Sequence, residues 1–170
     1  MVPKYSKKNT ESKQTYKIII MSKKINNIGS SLRIPKVLIL ITKVLSIIST
    51  KLLVVCIAKL FSTPIKHKIP KRELDMNRKS FQEKILIPVI SKEIVVYHYG
   101  TSSKKILLVH GWSGRGTQLF KIADELLKYG YSILSFDAPA HGKSSGSNTL
   151  MPEFIETILE LDKKFGPFKA

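Results

Sequence analysis

The sequence predicts an α/β fold in which helices flank a parallel sheet and an apolar, basic helix precedes it. Three observations carry that expectation. From Ile85 onward, strand and helix signals alternate. The two strongest strand signals, "KILLVHG" (105–111) and "YSILSFDAP" (131–139), are continuous apolar runs, the pattern of strands buried on both faces. Each is followed by a helix at the spacing of a βαβ unit. With 170 residues, 43% of them hydrophobic, the chain is long enough for one ordinary domain with its own core.

Taken in order, residues 1–33 are polar and basic without sustained periodicity, which reads as a flexible lead-in, and no small-residue cleavage site follows an apolar core as in a signal peptide. Residues 34–62 are strongly apolar but interrupted by Lys36, Lys43, Lys51 and Lys59. The run is too long for a strand, and Pro35 suits a first helical turn, so a helix is expected. Its fourteen Ile, Leu and Val between Lys36 and Lys59 contribute about −4 to −8 kcal/mol on a membrane-insertion scale, and the two central lysines oppose them by about +5 to +7. That near-cancellation favours a helix docked on protein or lying on a membrane surface with its lysines turned outward, and leaves a membrane span as the second reading. Residues 63–84 are charged, carry two prolines and read as a linker with one short helix; His67 there reads as a solvated loop residue.

Residues 85–170 form the α/β domain. "EIVVYHYG" (93–100) alternates as a strand ending at Gly100, with His98 on one face. "TQLFKIADELLKYG" (117–130) places Leu119, Ile122, Ala123, Leu126 and Leu127 on one helical stripe, with Thr117 as N-cap and Gly130 just past the end. "MPEFIETILELDKKFGP" (151–167) has Pro152 and Glu153 in a first turn, Phe154, Ile158, Leu161 and Phe165 on one face, and Gly166-Pro167 as its stop.

Charge and cysteine content exclude several classes. The net charge of +17 lies in the first half: residues 1–84 hold 19 Lys/Arg against 4 Asp/Glu, and residues 85–170 hold 10 against 8. Lysine mixed with Ile, Ser and Asn, without an RNA-binding aromatic motif or zinc finger, is a solvated basic tract, and no nucleic-acid partner is expected. One cysteine, Cys56, and four scattered histidines offer no disulfide and no metal-ligand spacing, so no metal is expected. A cytoplasmic or membrane-associated protein, not a secreted one, is the expectation.

Two loops carry chemistry. "VHGWSGRG" (109–116) leaves a buried strand, turns through glycines and enters a helix, presenting backbone N–H groups at the carboxyl end of a strand, where ligands of open α/β sheets collect. Neither phosphate-loop spacing is met. "HGKSSG" (141–146) contains a literal Gly-x-Ser-x-Gly centred on Ser144, with Asp137 and His141 upstream. A nucleophile elbow must join strand directly to helix, yet Ser144 stands eight residues beyond Phe136 and past Pro139. Ser144 is therefore not the expected nucleophile. Asp137 and His141 fall with it, because triad members approach from separate loops.

"LVHGWSG" followed by "FDAPAHGKSSG" resembles the α/β-hydrolase family over about residues 85–170, and "TLMPEF" and the preceding "LFSTP" look like its bacterial members. The resemblance implies a partial α/β-hydrolase sheet and serine-type, ester-like hydrolysis of a small-molecule acyl substrate without a cofactor. It implies that the Trp112 backbone N–H is an oxyanion donor. His110, Gly111, Ser113, Asp137, His141, Gly142 and Ser144 would support the two loops, and Gly114 would give backbone room. The Trp112 side chain has two readings, a wall of the acyl pocket or a core residue. By the same pattern the nucleophile, acid and base lie outside these residues, making this the N-terminal portion of a hydrolase; the alternative is an inactive truncated fragment associated with a membrane.

Overall fold

A computed structural model describes residues 35–170, so the reading of residues 1–33 as a flexible lead-in lies outside the described residues. The chain divides into two compact units, one ending at Leu53 and the other spanning Val54–Ala170.

The long apolar run forms two helices rather than the one expected: α1 (Lys36–Ile48) and α2 (Thr50–Ser62). Ser49 divides them in extended backbone, with φ −163° and ψ 117°. Its N–H closes α1 onto Leu45 O at 2.9 Å, and its carbonyl accepts the Leu53 N–H at 3.1 Å. The Ser49 hydroxyl also accepts the Leu52 N–H at 3.4 Å, so one small residue ends one helix and caps the next. Neither helix buries a residue, and no helix among the described residues is long and apolar enough to cross a membrane.

In the second unit, the stretch expected to be a linker is ordered. A 3₁₀ turn (Lys71–Glu73) runs into α3 (Leu74–Lys79), and β1 (Phe81–Ile87) begins inside it. β1 pairs antiparallel with β2 (Lys92–Tyr99) across a tight connection, Phe81 opposite His98 and Ile87 opposite Lys92. His98, half-buried on β2, meets Glu83 Oε1 with Nε2 at 2.6 Å across this hairpin. β3 (Lys105–Leu108), α4 (Phe120–Lys128) and β4 (Ser132–Asp137) form the expected parallel unit, and α5 (Met151–Phe165) follows. The sheet order is β1-β2-β4-β3, and β2 pairs antiparallel with β4. The sheet is thus mixed: the parallel arrangement expected throughout holds for β3 and β4, because the short β1–β2 connection permits only an antiparallel hairpin. β4, not β3, is the inner strand. On the outer side of β3, Lys169 N–H reaches Lys105 O at 2.8 Å and Leu107 N–H reaches Ala170 O at 2.9 Å.

Helices cover both faces of this sheet. Ile87, Ile94, Val96, Leu134 and Phe136 pack with Phe154 and Leu161 of α5 on one side; Tyr99, Ile106 and Ile133 pack with Ala123 of α4 and Met76 of α3 on the other. Each fully buried large apolar side chain stabilises the fold by about 1.5–3 kcal/mol, which is why β4, alternating between the two cores, is buried along its whole length. α4 starts at Phe120, later than expected. Thr117, expected as its N-cap, instead donates its buried hydroxyl to Glu73 Oε2 at 2.8 Å. Gly130 ends α4 in the left-handed region at φ +79°, with its N–H on Leu127 O and the Tyr131 N–H on Leu126 O.

Glu73 anchors the former linker. Its carboxylate, 1% exposed, also meets Arg115 Nη1 at 3.0 and 3.2 Å. Removing one partner of a buried pair strands the other charge. Glu73→Ala is expected to cost about 3–5 kcal/mol in urea denaturation of the 170-residue chain, and the apolar double replacement Glu73→Met with Arg115→Met distinctly less.

Candidate functional site

Parallel pairing of β3 and β4 sets their carboxyl ends side by side, so the turn after β3 (109–116) and the loop after β4 (138–149) meet. Two histidines join them by exchanging amides. His110, in the first turn and 4% exposed, accepts the Ala138 N–H of the second loop on Nε2 at 3.0 Å. His141, in the second loop and 1% exposed, accepts the Ser113 N–H of the first on Nε2 at 3.0 Å. Because each Nε2 accepts, the proton sits on Nδ1: that of His110 donates to Gly111 O at 2.7 Å and that of His141 to Pro139 O at 2.9 Å. Burial holds both imidazoles below the ordinary histidine value of 6.5, which keeps them in the neutral form these bonds require. The rings lie 5.0 Å apart, each edge-on to Phe154 of α5.

Asp137 adds a third tie. Its Oδ1 accepts the Gly116 N–H at 2.7 Å, and its Oδ2 accepts the Lys143 N–H at 2.7 Å and the Tyr97 hydroxyl at 2.9 Å. Burial first, then this carboxylate, pushes the Tyr97 phenol well above its ordinary value, keeping it a donor. Gly116 must lack a side chain, since a Cβ there would fall 2.6 Å from the Tyr97 ring. Gly142 turns the second loop at φ +46° directly beneath the Asp137 carboxylate.

Ser144 is 2% exposed, and its hydroxyl is doubly engaged, accepting the Val95 N–H at 2.9 Å and donating to the Asp137 carbonyl. Asp137, His141 and Ser144 are therefore neighbours without being a triad: the carboxylate faces backbone amides, and the imidazole Nε2 is occupied by Ser113. Ser113 itself sits at φ +55°, with its hydroxyl accepting the Ile65 N–H at 3.0 Å.

The turn does not engage all of its amides. Among the described residues, the Trp112 N–H meets no acceptor, and neither do those of Gly111 and Arg115, while those of Ser113, Gly114 and Gly116 are taken. A Cβ on neighbouring Gly111 would touch nothing within 4 Å, so the space beside it is open. The Trp112 ring is no core residue: 48% exposed, it stacks on Phe61 of α2 at 6.1 Å and stands edge-on to His141 at 5.3 Å. Beyond Phe61 lies a groove of about 710 Å³ between Ala58–Thr63 and Ser147–Leu150, whose walls are tied by the Thr149 N–H bonded to Ser62 O. Among the described residues no cluster of His, Cys, Asp and Glu could hold a metal ion.

Sequence reasoning missed Glu73, Arg115, Tyr97 and Phe61. Glu73 carried one signal: it is the first carboxylate after Glu11.

No protein-family description and no curated protein matches the chain. Among solved structures, the esterase Pf2001 of Pyrococcus furiosus is similar in three crystal forms, at 20% identity and TM-scores of 0.49, 0.45 and 0.47. The matches cover 61% of this chain and 43%, 43% and 41% of the esterase, so the chain spans less than half the length of the solved structures it matches.

The two neutral imidazoles make stability depend on pH. Unfolded histidines titrate near 6.5 and these two lower, so as pH falls past 6.5 the unfolded chain takes up protons that the folded one refuses. Their contribution is whole above pH 6.5 and declines below it. The guanidinium midpoint is expected to drop between pH 7.5 and 5.5, with a shallower drop in His141→Gln; an unchanged slope in that variant would contradict this assignment.

Proposed function

We propose that this chain forms the oxyanion-binding part of a serine-type hydrolase that cleaves an ester-like acyl substrate through an acyl-enzyme. One observation carries the reading: the Trp112 N–H, at the carboxyl end of β3, is left without an acceptor among the described residues, beside open space at Gly111 and next to the engaged amide of Ser113. When a serine Oγ attacks a carbonyl carbon, the new C–O bond sends the carbonyl electron pair onto oxygen. A preorganised N–H facing that oxygen stabilises the charge, by about 2.7–4 kcal/mol per donor. Collapse of the intermediate expels the alcohol with a proton, and water releases the acid from the enzyme. The chemistry uses no cofactor.

The reading assigns nucleophile, base and orienting acid to polypeptide on the outer side of β3, where Lys169 and Ala170 already pair. The described residues favour that assignment, because Ser144 is sealed and both loop histidines are committed to backbone amides. The exposed Trp112–Phe61 pair and its groove supply an apolar wall for the acyl group.

A fluorophosphonate reporter added to the native gene product, followed by mapping of the modified peptide, is expected to mark a serine outside residues 1–170. Modification at Ser144 or Ser113, or none on folded protein, would overturn the reading. In the active protein, Trp112→Ala, which keeps the donor but removes the ring, is expected mainly to raise KM, whereas Trp112→Pro, which also deletes the amide proton, is expected to lower kcat by about a further 10²–10³ relative to Trp112→Ala.

A further inference from the structure

We propose that residues 36–62 bind the surface of an anionic lipid bilayer, with α1 and α2 lying in its interface. This goes beyond the hydrolase reading and stands independently of it. Neither helix buries a single side chain: Val37 is 68% exposed, Ile47 86%, Val55 62% and Phe61 74%. Solvent alone is a poor partner for a surface of this kind, since contiguous exposed apolar patches mark interaction sites.

The arrangement of the charges names the partner. At 100° per residue, Lys36, Thr42, Lys43 and Ser46 fall on one side of α1, opposite Val37, Ile41, Val44 and Ile48. In α2, Lys51, Lys59 and Ser62 share one stripe with Val55, and Leu52, Val54, Ile57, Leu60 and Phe61 lie outside it. Every charge in this stretch is a lysine, and no carboxylate occurs between Glu11 and Glu73. A lysine stripe flanking a wide apolar face matches lipid headgroups above acyl chains: the ammonium groups reach the anionic phosphates while their stems cover the apolar boundary. A second copy of the chain would set lysine against lysine, and a nucleic acid would leave the apolar face in water. Each helix has 13 residues and is about 20 Å long, short of the roughly 30 Å hydrocarbon core, so the helices lie in the interface and do not cross it.

Co-sedimentation of the full chain with sucrose-loaded vesicles tests this, comparing phosphatidylglycerol–phosphatidylcholine mixtures with pure phosphatidylcholine. At least tenfold stronger binding to the anionic vesicles is expected, weakening as salt rises. Replacing Lys36, Lys43, Lys51 and Lys59 by Gln is expected to remove most of that preference, although the basic stretch before Lys36 is intact. Leu40→Asp with Ile57→Asp is expected to abolish binding to both vesicle types; an unchanged thermal melt shows that the sheet has not been lost in either variant. No binding, equal binding to both lipids, or a lysine variant that binds as tightly as the parent would overturn the proposal. So would a soluble dimer, dissolved by the two Asp substitutions, that ignores vesicles.

Discussion

The exchange of amides between His110 and His141 is the constraint on which the rest of this site depends. Each ring sits in one loop and holds the backbone of the other, and each can do so only while neutral with its proton on Nδ1. A buried amide that loses its acceptor costs about 1–3 kcal/mol, so the two bonds are hard to give up separately. They also dictate local backbone geometry. Ser113 is drawn into the left-handed region, uncommon for a residue with a side chain, because its N–H must point at His141. With Ser113 bonded to His141 and Gly116 to Asp137, the amide of Trp112 stays unengaged among the described residues.

The fold makes that exchange possible. Burial of β4 on both faces fixes its register against β3, and parallel pairing then aligns the two carboxyl ends within reach of a histidine side chain. Asp137 converts proximity into a single arrangement by binding amides from both loops and the Tyr97 hydroxyl from β2. Glu73 does the same from the opposite direction, locking Arg115 and Thr117 at the end of the turn. The site is therefore held by buried charges whose partners are mostly backbone amides or rigid side chains. Such an arrangement suits a donor that must be in place before charge develops.

Much of this architecture was legible in the residues, and the exceptions have physical causes. β2, β4 and α5 follow their periodicity closely, and Gly130 marks the end of α4 because only a residue without Cβ enters φ +79° cheaply. β1 was not legible: of its residues only Ile85 and Ile87 are buried, and its pairing comes from the hairpin rather than from its own pattern. The break at Ser49 was hidden by a continuous apolar run, since hydropathy does not register a hydroxyl that competes for backbone bonds. That Ser144 is no elbow could be read from its distance to the strand. That His141 spends its ring on Ser113 could not, because the two are 28 residues apart and only the parallel pairing brings them together.

Residue-by-residue amide hydrogen exchange on the 170-residue chain at neutral pH addresses the central claim most directly. The account predicts that Ser113, Gly116 and Ala138 exchange only through large-scale unfolding, while Trp112, next to the protected Ser113, exchanges orders of magnitude faster. Slow exchange at Trp112 matching that of Ser113 would mean its N–H is already bonded, and the oxyanion assignment would be lost.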